Sequence, residues 1–275
     1  MSLFTASLNS GSNGNCYYVG NGTEAVLVDV GLSCRETECR MTRLGLSMKS
    51  VKAIFISHEH TDHIKGVNVL SKKYNLPVYF TENTFRFSRL SLDKSLVRIF
   101  RADEPMEVGN LSITAFEKHH DARDPHSFII KGNDTTIGVF TDIGNVCDNL
   151  TRYFKQCHAA FLEANYDTDM LEKGRYPIHL KQRIRGGKGH LSNDEALALF
   201  RQHRPAYMSH IFLAHLSKDN NNPELVAELF NRHANGTEVV IASRYNETGV
   251  YHIQAHNATQ PAPAAAVLGR QASLF

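Results

Sequence analysis

Nothing in the 275-residue sequence resembles a membrane span, since no apolar run approaches the ~20 residues a hydrocarbon core requires. The opening "MSLFTASLNSGSNG" has neither the basic nor the apolar region of an export signal, so a cytoplasmic protein is expected. Tryptophan is absent, and no two of the five cysteines (Cys16, Cys34, Cys39, Cys147, Cys157) form a C-x-x-C pair. An odd, unpaired set is expected to be reduced thiols, mostly packing residues. Charge of one sign is lacking too. The formal charge is +2 and the pI about 8.2, so no global basic field announces nucleic acid, although a local patch can do the same work. What remains is globular in balance, 42% hydrophobic and 21% charged. The chain is long enough for one large domain or two modest ones without disulfide support.

Up to about residue 256 the pattern is dense and mixed. "CYYVG", "EAVLVDVG", "VKAIFIS", "LPVYF", "LVRIFRA", "LSITAFEK", "HSFIIKG", "TTIGVFTD" and "AAFLEA" read as strands, and "CRETECRMTRLG" as a helix ended by Gly45. Ile64, Val67, Leu70 and Tyr74 recur at the spacing of one amphipathic helix. In the last third, Ser192 with Glu195 forms a capping box, and Asn222 caps a helix whose first position is Pro223. "IFLAHLS", "TEVVIASRY" and "GVYHI" add strands. Strands and helices alternate too freely for an all-β protein, so a layered α/β architecture is expected. From Asn257 the chain turns rich in alanine and proline, "NATQPAPAAAVLGRQASLF", and is expected to be a flexible tail. The expected division is therefore a domain over 1–256 and a tail over 257–275.

The stretch "SHEHTDHIKG" sets His58, His60, Asp62 and His63 at the end of an apolar strand. Two imidazoles at i and i+2 converge on one cation if the backbone is extended, and Asp62 and His63 begin the next helix facing the same cavity. Four mixed ligands, with others joining from a distance, exceed the needs of one tetrahedral ion. The surplus points to two metals roughly 3.5–4 Å apart. A surface loop with incidental histidines is the bland alternative.

"HEHTDH" resembles the signature of the metallo-β-lactamase-fold superfamily, and the resemblance runs through "LNSGSNGNCYYV", "VLVDVGLS", "HHDARDP", "FTDIG", "LEANYD", "LKQRIRGGKGHLSN" and "LAHLSKDNNNPEL". That order resembles the YycJ-type (WalJ) branch, a group of DNA exonucleases allied to ribonuclease Z. The resemblance implies a four-layer αββα sandwich with two divalent metal ions, zinc or manganese, at one edge. One metal takes His58, His60 and His120; the other takes Asp62, His63 and His215; Asp142 bridges them, and Asp29 orients ligands without binding metal. His119 is the rival of His120; the family's ligand directly precedes Asp-Ala, which selects His120, and strand alternation points His119 elsewhere. His126 stands where a smaller residue is expected, which bears on the geometry of its loop.

Two cations that acidify a bridging water suit phosphodiester hydrolysis, and also a thioester or lactam. His190 favours the first, because it resembles the ribonuclease Z histidine that protonates the leaving oxygen; with Asp62 it is the expected catalytic group. Just upstream, Lys181, Arg183, Arg185 and Lys188 form a basic run suited to positioning phosphates, unless it is only a solvated face. Ser12 and Asn13, in a loop rich in glycine, serine and asparagine, and Asn221 among three consecutive asparagines, are further expected substrate contacts. The terminal "QASLF" resembles the bacterial sliding-clamp binding motif, with Gln271, Leu274 and Phe275 in the matching places. The leading expectation is a metal-dependent DNA exonuclease of replication or repair. The alternatives are a ribonuclease Z-like or small-molecule phosphodiesterase, and a non-catalytic scaffold bound to the clamp.

Overall fold

Strands whose residues are buried on both faces need cover on both faces, and the fold supplies it twice. The computed structural model describes residues 2–255. The tail, and with it Gln271, Leu274 and Phe275, lies outside the described residues. The strands are β1 (Leu3–Asn9), β2 (Cys16–Gly20), β3 (Ala25–Val28), β4 (Val51–Phe55), β5 (Val78–Phe80), β6 (Val97–Ile99), β7 (Pro105–Val108), β8 (Leu111–Glu117), β9 (His126–Gly132), β10 (Thr135–Phe140), β11 (Ala159–Glu163), β12 (His210–Ala214), β13 (Glu238–Ile241) and β14 (Tyr251–Ile253). They form two seven-stranded sheets, in the orders β14-β1-β2-β3-β4-β5-β6 and β13-β12-β11-β10-β9-β8-β7. In each sheet one half is antiparallel. The other, β3 to β6 or β10 to β13, is parallel.

The helices are α1 (Cys34–Arg43), α2 (Thr61–Ile64), α3 (Val67–Tyr74), α4 (Glu82–Ser88), α5 (Asp148–Phe154), α6 (Thr168–Lys173), α7 (Ile178–Arg185), α8 (Asn193–His203) and α9 (Pro223–Asn231). Three apolar cores separate the layers. Tyr17, Phe55, Phe128, Phe161 and Phe212 meet between the sheets, with the Phe161 and Phe212 rings stacked 4.5 Å apart. Leu27, Ile54 and Val78 face Met41, Val67 and Leu70 of α1 and α3 on one outer side. Phe140, Leu162 and Leu213 face Leu150, Phe200 and Phe230 of α5, α8 and α9 on the other. The result is the expected αββα sandwich.

Most expected elements are present, including the Ser192–Glu195 capping box and the Asn222 cap ahead of Pro223. The single helix expected through Ile64 and Tyr74 is instead divided into α2 and α3 at Gly66. There the chain comes against the end of β3: the Gly66 amide donates to the Val30 carbonyl at 2.9 Å, and a Cβ would lie 2.0 Å from the Leu32 oxygen. The backbone contact outranks the periodicity. Helix α7 had no apolar stripe to reveal it, since none of its eight residues is fully buried.

Candidate metal centre

In parallel sheets, sites are built beyond the carboxyl ends of the strands, and here five strands converge there. Asp29 follows β3, Ser57 and His58 follow β4, Asp142 follows β10, Glu163 ends β11 and His215 follows β12. Register sets the last three side by side, because Phe140 pairs with Leu162 and Glu163 with Ala214. Asp29, Asp142 and His215 all have left-handed backbones, at φ 59, 54 and 56°. Such conformations cost a non-glycine residue roughly 1–3 kcal/mol each and concentrate at functional sites.

The histidine turn is fastened to the end of β3. The Asn15 amide donates to the Asp62 carbonyl at 2.7 Å, and that of Val30 to the His63 carbonyl at 2.8 Å. Gly31 lies beneath Asp62, where a Cβ would come within 1.7 Å of the Asp62 carbonyl oxygen. Asp29 is fully buried; it accepts from the Ser57 amide and hydroxyl, each at 2.8 Å, and from His63 Nδ1 at 2.7 Å. The His63 Nε2 therefore faces the cavity, 3.2 Å from Asp142 Oδ2 and 3.6 Å from Asp62 Oδ2. The Ser57 hydroxyl in turn accepts from His58 Nδ1 at 2.9 Å, and turns His58 Nε2 inward, 3.0 Å from His60 Nδ1. Two nitrogens on one tetrahedral zinc stand ~3.3 Å apart.

His120 donates from Nδ1 to the Gly189 carbonyl at 3.0 Å and points Nε2 inward, 3.8 Å from Asp142 Oδ1. His119 turns outward to Asn145 Oδ1 at 2.8 Å, so the structure brings His120 and not His119 to the cavity. His215 Nε2 lies 3.5 Å from Asp142 Oδ1 and 3.9 Å from Asp62 Oδ2. Ligand-competent atoms of His58, His60 and His120 form one group, and those of Asp62, His63 and His215 another; Asp142 approaches both.

Three atoms test whether this cavity fits a cation. His120 Nε2, Asp142 Oδ2 and His215 Nε2 are buried without a hydrogen-bond partner. An unmet buried polar group costs about 1–3 kcal/mol, and three converging on one cavity are a set that a cation would satisfy. The titration directions agree. Burial pushes His58 well down and His120 down to about 4, leaving both neutral and able to donate a lone pair. Burial opposes a proton on His63 and His215 as well, but Asp142 with Asp29 and Asp62 holds His63 well above its ordinary value. Asp142, Asp62 and Glu163 raise His215 to about 10. Burial likewise opposes charge on Asp142, and His215 and His63 outweigh it to hold the carboxyl well below its usual range. The donor set of imidazoles and carboxylates can hold divalent metal ions.

Glu163 was not anticipated. It is fully buried and accepts from His190 Nδ1 at 2.8 Å and His215 Nδ1 at 2.9 Å through one oxygen, and from the Ile143 and Leu191 amides at 2.6 and 3.3 Å through the other. Its signal was a carboxylate closing the apolar strand "AAFLE", since a buried charge requires partners. Asn15 was likewise missed as a side chain: its Nδ2 stands 3.1 Å from His63 Nε2 and 3.3 Å from Asp62 Oδ2. Lys118, also unforeseen, is buried and donates to the Thr141 carbonyl at 2.6 Å, just ahead of Asp142.

A cleft of about 230 Å³ opens beside His190 and His215, lined also by Ser12, Tyr176, Arg183 and Ser217. Arg183 Nε donates to Asp121 Oδ2 at 2.5 Å, and Asp121 Oδ1 is 3.3 Å from His120 Nε2. The rest of the basic run departs from expectation. At 100° per residue, Lys181 and Arg185 share a side of α7 opposite Arg183; Lys181 donates to the Glu172 carbonyl and Arg185 pairs with the Glu172 carboxylate. Lys188 is exposed on the following loop. Asn13 donates to the Arg244 carbonyl at 2.7 Å. Asn221 is no rim contact: it is buried, and its amide nitrogen donates to the Ala164 and Asn165 carbonyls at 2.8 and 3.0 Å, closing the loop after β11. His126 opens β9 beneath its loop, edge-on to Phe100 and donating to the Asp124 carbonyl at 2.9 Å.

A family model described as the beta-lactamase superfamily domain matches residues 24–211. Exodeoxyribonuclease YycJ of Bacillus anthracis is 37% identical over 230 residues, covering 82% of this chain and 86% of that protein. Exodeoxyribonuclease WalJ of Streptococcus pneumoniae is 34% identical over 223 residues, 79% of this chain and 83% of that protein. Among solved structures, the metallo-beta-lactamase fold protein YhfI of Bacillus subtilis superposes with a TM-score of 0.71 at 18% identity, over 92% of this chain and 100% of its own. Human tRNase Z, short form, gives 0.63 at 15% identity over 90% and 98%. Likeness at such identities carries the fold alone. With the two curated relatives and the domain match, it follows that the chain belongs to the metallo-β-lactamase-fold superfamily, in the branch of the YycJ and WalJ exodeoxyribonucleases.

Proposed function

We propose that the protein is a metal-dependent nuclease that removes nucleotides from DNA ends, using two divalent cations, zinc or manganese. The observation that carries the reading is the meeting of His58, His60, Asp62, His63, His120, Asp142 and His215 in one cavity beside a histidine held by a buried carboxylate. In this reading His58, His60 and His120 hold one cation, Asp62, His63 and His215 the other, and Asp142 serves both. Bound there, such cations would acidify a water to a nucleophile near neutral pH and offset the charge of the phosphodiester.

The chain's own residues do the rest. Asp29 accepts the Nδ1 proton of His63 and so presents Nε2 as a lone pair, as Ser57 does for His58. His190 gives its Nδ1 proton to Glu163 as a hydrogen bond and keeps Nε2 for the leaving oxygen, to which it donates as general acid. The Glu163 carboxylate fixes the orientation of the ring for this step. Arg183 and Ser12 line the cleft where the phosphate backbone would lie.

A cytoplasmic location belongs to this reading and rests on sequence. Recruitment to replicating or repaired DNA by the sliding clamp, through Gln271, Leu274 and Phe275, belongs to the same reading and rests on sequence. Truncation before Gln271 should abolish clamp pull-down and spare cleavage of free oligonucleotides; equal pull-down would end that part of it. The nuclease reading itself is tested with duplex DNA, single strands and RNA, each labelled at one end or the other, with zinc or manganese added back. Stepwise loss from a DNA end, abolished in a folded Asp62→Ala variant, is expected. Inertness toward every nucleic acid, alongside hydrolysis of a thioester or a lactam, would refute it.

A further inference from the structure

The loop between His120 and β9 has a second flank, away from Arg183, and an exposed aromatic ring lies there. Phe87 on α4 is 42% exposed. The Arg123 guanidinium stands 4.7 Å from its ring centroid and that of Arg86 5.7 Å, and both arginines and nearby Arg89 are exposed. Among the described residues no carboxylate pairs with these guanidinium groups within 4 Å: Asp124 turns inward to within 3.7 Å of His126, and Glu59 accepts from the Arg123 amide and not from its side chain.

This cluster is fastened to the metal centre. The Arg123 amide donates to Glu59 Oε1 at 2.9 Å, and Glu59 stands between His58 and His60 in the chain. The Thr84 hydroxyl donates to the Asp124 carbonyl at 3.2 Å, which ties α4 to the same loop. Arg123 follows His120 by three residues, so their Cα atoms are within about 11 Å. With about 6 Å of arginine side chain and the 4.7 Å to the ring added, Phe87 lies within roughly 22 Å of the His120 Cα, about six stacked nucleotides at roughly 3.4 Å each.

We propose that Phe87, flanked by Arg86 and Arg123, is a nucleobase-stacking subsite for a single-stranded segment within about six nucleotides of the scissile phosphate. The inference rests on the nuclease reading above and adds the form of substrate. A half-exposed ring with guanidinium groups over it suits a base rather than a peptide side chain: every base offers a π-face, ring and arginine planes together make the platform, and the positive charge meets adjoining phosphates. Because a duplex keeps its base faces covered, the subsite selects frayed or single strands and is indifferent to sequence.

The test uses the full chain with Phe87→Ala and Phe87→Trp on three substrates: bis-p-nitrophenyl phosphate, a single-stranded oligonucleotide, and the same oligonucleotide made abasic throughout. Phe87→Ala should leave hydrolysis of the small ester at the wild-type rate and raise KM for the ordinary oligonucleotide roughly 5- to 150-fold, the range expected for one stacked base. On the abasic oligonucleotide wild type and variant should match, and Phe87→Trp should restore the ordinary KM. Unchanged KM in Phe87→Ala, or an equal loss on ordinary and abasic strands, would overturn the subsite while leaving the nuclease reading intact. A wild-type protein that hydrolyses the ester yet neither cuts nor binds any oligonucleotide would overturn both.

Discussion

Replacing Glu163 by glutamine keeps its shape and removes its charge, and the geometry fixes what should follow. One carboxylate oxygen accepts from His190 and His215 and the other from two backbone amides. A glutamine can satisfy one side only. If its oxygen stays on the amides of Ile143 and Leu191, its NH2 faces two ring nitrogens and drives both histidines to carry their proton on Nε2. On His215 that proton occupies the atom facing the cavity; on His190 the imidazolium loses its support. If the amide turns over, its NH2 meets two backbone N–H donors in a buried place. Either outcome damages metal retention and proton donation together.

The magnitude can be worked from the carboxylate itself. Burial raises its pKa, yet His190 and His215 outweigh this and lower it from 4.5 to about 2, which at ~1.4 kcal/mol per unit is about 3 kcal/mol of folded-state stabilisation. The elevation of His215 is the other side of the same contact and is not added. A depressed carboxyl contributes above its unfolded value and loses the contribution as pH falls from about 4.5 toward 2. The metal-free wild type should therefore lose about 3 kcal/mol across that window, and metal-free Glu163→Gln should be less stable at pH 7 with a flatter profile below 4.5. With metal restored, kcat on a DNA oligonucleotide, whose alkoxide leaving group needs a proton, should fall at least ~10²-fold, the lower bound of a general acid's contribution. Metal per chain, measured by plasma mass spectrometry, should drop. A glutamine variant with wild-type kcat, metal content and acid profile would refute the reasoning.

Two further substitutions test the placement of the ligands. His120→Ala should lower bound metal and abolish hydrolysis, whereas His119→Ala, which loses only a surface contact with Asn145, should leave metal content unchanged; equal losses would contradict the orientation of that loop. Gly31→Ala forces a Cβ into the Asp62 carbonyl, which the Asn15 amide also holds, so the histidine turn must shift bodily. A cost of about 3 kcal/mol and a fall in thermal midpoint of roughly 5–10 °C are expected, with activity declining in step, and calorimetry on an unchanged protein would count against the packing described.

The contrast between His58 and Glu163 explains what could be read from the residues. The ligands of the histidine turn lie within six positions, so their spacing is itself the signal, and Asp142 and His215 could be carried over from motifs that surround them. Glu163 lies within "LEANYD", one of the same motifs, but nothing in that stretch assigns it a role. A glutamate at a strand end is equally the mark of a solvated turn, and only the register that sets β11 between β10 and β12 turns it toward His190 and His215. The basic run failed for a related reason: consecutive charges read as one patch, but a helix divides them among faces, leaving Arg183 on the cleft and turning Lys181 and Arg185 to Glu172. Helix α4 and its exposed Phe87 gave no periodicity in only seven residues.

The backbone at Asp29, Asp142 and His215 shows a conflict that no local reading resolves. Left-handed conformations favour glycine, so propensity alone would put glycine at all three strand ends. The chain places two carboxylates and an imidazole there instead, at roughly 1–3 kcal/mol each. Glycine would relax the backbone but remove the proton acceptor of His63, the carboxylate between the two ligand groups and one of the imidazoles. The strain persists because each position is held by independent contacts: Asp29 by three hydrogen bonds to the histidine turn, Asp142 by Lys118 on the preceding carbonyl, and His215 by Glu163 and Ser10. Side-chain chemistry thus overrides conformational preference where five strands end together, and the network that holds each residue in place reaches well beyond the atoms that face the cavity.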